Sequence, residues 1–176
     1  LVRQQGAALR GADVGQARRM SAELNGLAGL YEGQLVQEAG RPDHQVLLHT
    51  DTYVGQACAE LLAEWLRTRG FTVELQTTPG LATRSLEDFQ SAMGELAPII
   101  QGLTSSWAAK GAEVVFNLTG GFKSVQGFLQ ALGMLYADRC VYLFEAPQSE
   151  LLVIPRLPLR TVPEESMPAH LDVIRR

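Results

Sequence analysis

From residue 45 to residue 144 short apolar runs take turns with longer stretches of helical periodicity, and this alternation restricts the fold more than any other feature. The runs are Gln45–His49, Phe71–Gln76, Ala112–Leu118 and Arg139–Phe144, with a further one at Leu151–Ile154. Strand, helix, strand, helix, strand, helix, strand is the order of a parallel sheet joined by crossover helices on both faces. The pattern predicts an α/β fold, Rossmann-like and doubly wound, with a mainly parallel sheet.

The individual segments support that order. Residues 1–33 read as helical, with Leu24, Leu27, Leu30 and Tyr31 forming an apolar stripe before Gly33 and Gly40–Asp43 break the pattern. Val46, Leu47 and Leu48 are consecutive, as in a strand covered on both faces. Thr50–Asp51–Thr52 reads as a helix cap, Asp51 as part of it rather than as an acid or base, before a helix that buries Ala57, Leu61, Leu62, Trp65 and Leu66 and ends at Gly70. Phe71–Gln76 alternates, which suits a strand nearer an edge. After Pro79–Gly80, Ser85 caps a helix reaching Trp107, which Pro98 is expected to kink or divide. Trp65, Trp107 and Phe89 occupy core positions. The domain is expected to span residues 1–160. Five of the eight prolines lie at or beyond Pro147, so 161–176 reads as a tail or linker.

Composition narrows the function classes. Apolar residues make up 46% of the 176 and charged residues 19%, which is globular rather than disordered. A net charge of −4 argues against long nucleic acid as a partner, because that needs a broad basic surface. A small anion held by a few local donors remains compatible. Cys58 and Cys140 read as two buried, reduced thiols of a cytoplasmic protein. No apolar run approaches the ~18–20 residues of a membrane span. His44, His49 and His170 lack metal-ligand spacing, so neither metal nor cofactor is expected, and no nucleophilic triad can be assembled.

In such sheets ligands bind beyond the carboxyl ends of the strands. Two segments are expected there: Thr50–Asp51–Thr52, and Asn117-Leu118-Thr119-Gly120-Gly121-Phe122-Lys123-Ser124. In the second, two glycines let backbone N–H groups approach a ligand, and the helix start adds free donors with partial positive charge. Lys123 brings a full charge to a first turn that disfavours cations, which is easier to understand with an anion between them. Thr119 and Ser124 can complete a ring of donors around one phosphate. The plainer reading, on residue chemistry alone, is a tight turn followed by a solvated lysine. Phe122 separates Gly121 from Lys123, so the loop is not a P-loop, and it lacks the G-x-G-x-x-G fingerprint. Asn117–Leu118–Thr119 matches a glycosylation sequon but sits at a strand end. Glu145, after the fourth strand, reads as a surface carboxylate or a ribose partner.

The segment Asn117–Ser124, followed by an apolar helix and Val141-Tyr142-Leu143-Phe144-Glu145, resembles the CARF domains of the APE2256-type CRISPR-associated proteins. Ser21–Asn25, the Thr50–Thr52 loop with Gly55, and Ile154–Leu159 are similar to further pieces of the pattern, in the same order. The resemblance covers roughly residues 20 to 160. It implies a homodimer that binds a cyclic oligoadenylate, a cyclic tetra-adenylate in the first instance, across its two-fold axis. The site residues it implies are Thr50, Asp51, Thr52, Asn117, Thr119, Gly120, Gly121, Phe122, Lys123 and Ser124. Members of the family either regulate a fused or associated effector in type III CRISPR antiviral defence or, as ring nucleases, cleave the ring without metal to linear products with 2′,3′-cyclic phosphate. In the second case Lys123 takes a catalytic part, stabilising the transition-state charge. Binding of an unrelated nucleotide is a third reading. The family's pattern begins with a strand and a Gly-Thr-Ser loop, and that first strand is expected upstream of Leu1.

Overall fold

The computed structural model describes residues 2–38, 40, 42–81, 85–121, 123–144 and 150–157. The helical opening of the chain is three helices rather than one: α1 (Val2–Arg10), α2 (Val14–Met20) and α3 (Ala22–Leu30). The breaks fall where side chains compete for backbone donors. Asp13 accepts from Gln16 N at 2.7 Å, and Gln16 Oε1 accepts from Asp13 N at 3.0 Å, a reciprocal capping box. Ser21 both ends α2 and caps α3, with Leu24 N donating to its hydroxyl at 3.2 Å.

Strand β1 (His44–Leu48) leads into α4 (Tyr53–Arg67), and β2 (Thr72–Gln76) returns parallel to β1, Val46 opposite Glu74. Gly70, at φ +90°, makes the turn that ends α4. Helix α5 (Leu86–Ala108) is capped by Ser85 and runs unbroken through Pro98. The expected division does not occur, because Ala92, Met93, Leu96 and Ile100, on either side of the proline, are buried in one core. Strand β3 (Val115–Asn117) is shorter than the expected Ala112–Leu118. It pairs parallel with β4 (Arg139–Leu143) across α6 (Lys123–Tyr136), and β5 (Leu151–Pro155) closes that sheet antiparallel to β4.

The result is a mixed α/β fold with small sheets, β1-β2 and β3-β4-β5. Two cores hold it. Leu9, Ala17, Leu24, Leu27, Ala63, Trp65 and Leu66 join α1–α4 and extend to Phe71 and Val73 beside and within β2. Helices α5 and α6 share a second core through Leu96, Ile100 and Leu132, with Leu48 and Phe116 packed against it. The Trp65 indole satisfies its N–H on Ala12 O at 3.2 Å, while Arg69 lies 4.0 Å over the ring. Trp107 departs from the expected core position: it is half-buried between His44 (centroids 4.6 Å apart) and the ammonium of Lys110 (4.1 Å). Cys140 is buried, and burial pushes its thiol pKa up. Cys58 is exposed, a correction to the expectation of two buried thiols; the buried stripe of α4 runs through Ala59, Ala63 and Leu66 instead.

Candidate functional site

Three helices begin at one end of the sheets. Ser21 and Glu23 at the start of α3, Thr50 and Gly55 at the start of α4, and Thr119, Gly120 and Gly121 ahead of α6 all line one cavity of about 1210 Å³. Helix N-termini carry unpaired N–H groups and partial positive charge, so their convergence favours an anion.

The Thr119–Gly121 loop is built on a buried polar scaffold. Asn117 Nδ2 donates to Glu23 O at 3.1 Å, and Asn117 Oδ1 accepts from Thr119 N at 3.1 Å. The buried Thr119 hydroxyl accepts from Leu143 N at 2.9 Å, tying the loop to the end of β4. Gln126, one turn into α6, donates to Leu118 O at 3.0 Å and also to Gly120 O. Gly26 lets α3 lie directly against Asn117 and Thr119: a Cβ there would stand 2.5 Å from both side-chain oxygens.

With its side chains so employed, the loop offers main chain to a ligand. Gly120 and Gly121 have φ of +93° and +82°, a region that only glycine enters without strain. Gly120 has its back to Glu23, whose Oε1 would lie 2.5 Å from an added Cβ; around Gly121 nothing stands within 4 Å. The Glu23 carboxylate accepts from Ser21 Oγ at 2.7 Å. An anion is therefore disfavoured on the Gly120 side and unobstructed on the Gly121 side. Lys123 and Ser124 follow there, exposed in the first turn of α6. Phe122 and Glu145 lie outside the described residues.

The other loop is organised differently. Thr52 caps α4, accepting from Gly55 N at 3.0 Å, and shares a 2.9 Å hydrogen bond with the hydroxyl of Thr50. Within the expected capping segment Asp51 itself does not cap: it accepts from Gly80 N at 3.0 Å and pins the turn after β2. Thr52 precedes α4 directly, so its oxygen reaches the first free amides, which Asp51 does not. Thr50 faces the cavity. Asp51 and Thr52 are outside its lining.

Thr50, Asn117, Thr119, Gly120 and Gly121 thus come together at the cavity, and Lys123 and Ser124 stand beside it. Glu23, Gly26 and Gln126 were missed as parts of the site. A capping serine with an acid two residues on marks a helix start, but nothing in that signal tells which loop the helix start meets. Among the described residues no group of three or more His, Cys, Asp or Glu is placed to hold a metal ion, and no helix is long and apolar enough to cross a membrane.

A family model described as CRISPR-associated protein (Cas_APE2256) matches residues 18–157, a span that contains both loops and α3. No curated protein matches the chain.

Proposed function

The chain belongs to the Cas_APE2256 family of CRISPR-associated proteins, and from that premise we propose that it is a CARF-type, Rossmann-like sensor domain for cyclic oligoadenylate, regulating an effector in type III CRISPR defence. The observation that carries the reading is the glycine loop: two adjacent positive-φ residues present main chain at a helix start, held from below by Asn117, Thr119 and Gln126. One phosphate of the ring sits on the open side of Gly121, against the amides of the α6 start, Lys123 and Ser124. Glu23, on the other side of the turn, accepts from a ribose hydroxyl instead of facing a phosphate. A cyclic tetranucleotide has two-fold symmetry, so a homodimer with both loops toward its axis offers the same donors to each half of the ring. A net charge of −4 is no obstacle, because a few local donors suffice.

Titration of the full-length protein with cyclic tetra-adenylate and cyclic hexa-adenylate, followed by separation of the nucleotide, tests this. Saturable binding with the ring recovered intact is the expected result. Linear product ending in a 2′,3′-cyclic phosphate would replace the sensor reading with that of a metal-independent ring nuclease, in which Lys123 also stabilises the transition state. No binding of either ring would remove both. Sedimentation is expected to show a dimer; a monomer at micromolar concentration, with and without ring, would refute the symmetric site.

A further inference from the structure

Among the described residues Tyr53 is the most exposed large apolar side chain, with 81% of its surface open to solvent. It is the first residue of α4, directly after the capping Thr52. Nothing in the helix asks for an aromatic there: tyrosine is a middling helix former, and a first turn favours acidic residues. The buried stripe of α4 begins only at Ala59. Packing does not account for this side chain.

The direction in which it stands follows from helical rotation. At about 100° per residue Glu60 and Glu64 return to within about 20° of Tyr53, so the three share one stripe. Glu64 Oε1 accepts from Arg10 Nε of α1 at 3.0 Å. The stripe therefore turns to the side of α4 on which α1–α3 pack, and Leu61, on that side, lines the cavity. Helical side chains also lean toward the N-terminus, which carries the Tyr53 ring past the end of α4 toward the mouth. Thr50, Gly55 and the exposed Met20 line the cavity there.

The helix starts at this end differ in charge. Helix α3 begins with Glu23 and α5 with Glu87 and Asp88, whereas α4 and α6 carry no acid in their first turns. Acidic groups offset the positive end of a helix, so α4 and α6 are the two that keep theirs for an anion. A site with a phosphate cradle at the Gly121 turn and a bare aromatic face at the start of α4 matches a nucleotide, which joins a phosphate to a flat apolar base. We propose that Tyr53 is the platform on which an adenine base of the bound ring stacks. The proposal rests on the cyclic-oligoadenylate reading above and adds to it a base subsite on α4. Unpaired bases stack well on tyrosine, because each presents a π face. The α4 surface below Tyr53 is polar, with Gln56, Glu60 and Glu64 exposed, so no apolar patch continues down the helix for a protein partner to cover.

Calorimetric titration with cyclic tetra-adenylate, for the full-length wild type, Tyr53→Ala and Tyr53→Phe, tests the assignment. Tyr53→Ala is expected to weaken binding roughly five- to a hundredfold, the worth of one base–aromatic stack. Tyr53→Phe keeps the π face and should bind within about twofold of wild type. Stacking involves no phosphate, so the salt dependence of affinity keeps its slope in Tyr53→Ala, while Lys123→Ala lowers that slope by about one. Wild-type affinity in a folded Tyr53→Ala overturns the proposal and leaves the sensor reading standing; a wild type that binds no ring removes both. An equal loss in Tyr53→Phe gives the contact to the hydroxyl and overturns the stack. A loss matched by dissociation of the ligand-free dimer in sedimentation assigns Tyr53 to the subunit contact, and also overturns it.

Discussion

The two strand-to-helix loops at the carboxyl ends of β1 and β3 occupy corresponding positions and spend their residues in opposite ways. Between β1 and α4 the side chains close on the loop itself: Thr52 caps the helix, Thr50 bonds to Thr52, and Asp51 reaches away to Gly80. Between β3 and α6 the side chains of Asn117 and Thr119 point into the protein, to Glu23 O and Leu143 N, and the Gly120 and Gly121 amides have no protein acceptor among the described residues. One loop satisfies its helix start from within. The other keeps a helix start available at the price of a buried polar scaffold and two glycines in a conformation closed to other residues. Unspent donors are what an anion needs, so the second loop is the one to attack first.

The sharpest break comes from Gly120→Val. A side chain at φ +93° is strained, and its Cβ would meet the Glu23 carboxylate 2.5 Å away and Ala22 Cβ at 3.2 Å. Together these should cost roughly 2–4 kcal/mol in stability, seen in a denaturant titration, with ring binding lost. Retained stability would show that neither the positive φ of Gly120 nor its contact with Glu23 constrains the loop.

Lys123→Ala is the next largest and separates binding from folding. Loss of a charge-assisted hydrogen bond to phosphate weakens affinity by roughly ten- to a hundredfold, or about 1.5–3 kcal/mol. The melting temperature should hardly move, since Lys123 is exposed. Calorimetry beside a thermal melt measures both, and unchanged affinity in the folded variant returns Lys123 to the solvated surface.

Thr119→Val probes the scaffold. The shape is kept, but Leu143 N loses its buried acceptor, at a cost of roughly 1–3 kcal/mol in stability. Affinity should fall less than in Lys123→Ala, because the hydroxyl is engaged by protein. A variant that binds poorly while melting normally would instead make Thr119 a ligand contact.

The smallest effect belongs to the other loop. Asp51→Ala removes an exposed hydrogen bond to Gly80 N and should cost no more than about 0.5 kcal/mol, with ring affinity unchanged. A tenfold loss of affinity would give the Thr50–Thr52 loop a role in binding equal to that of the glycine loop.

Much of this molecule is legible in local signals. From β1 onward the order of helices and strands followed from periodicity and from the caps in Thr50–Thr52 and at Ser85, because each cap is made within three residues of its partner; the breaks at Asp13 and Ser21, which divide residues 1–33 into three helices, were not read. Gly120 and Gly121 were visible as a turn needing positive φ. Glu23 and Gln126 were not legible as parts of that turn. Glu23 reaches Gly120 across about a hundred residues of chain, and Gln126 bonds backward over six to main-chain oxygen that carries no sequence label. The roles of Asn117 and Thr119 shifted for a related reason: their side chains are polar in any reading, but whether they face a ligand or the protein depends on where α3 and β4 end.

By itself the sequence determined the element types, the alternation of strand and helix, the glycine turn and the charge at the start of α6, since all of these rest on periodicity and residue type over a few residues. Tertiary structure alone decided that the start of α3 forms the third wall of the cavity, that Cys58 is exposed while Cys140 is buried, and that β1 and β3 both line that cavity, through Val46, Leu48, Val115 and Asn117 among others. Those outcomes depend on which faces the helices bury and how far apart two strands come to rest. Such distances are set by packing between segments remote in sequence, and no periodicity along a single segment encodes them.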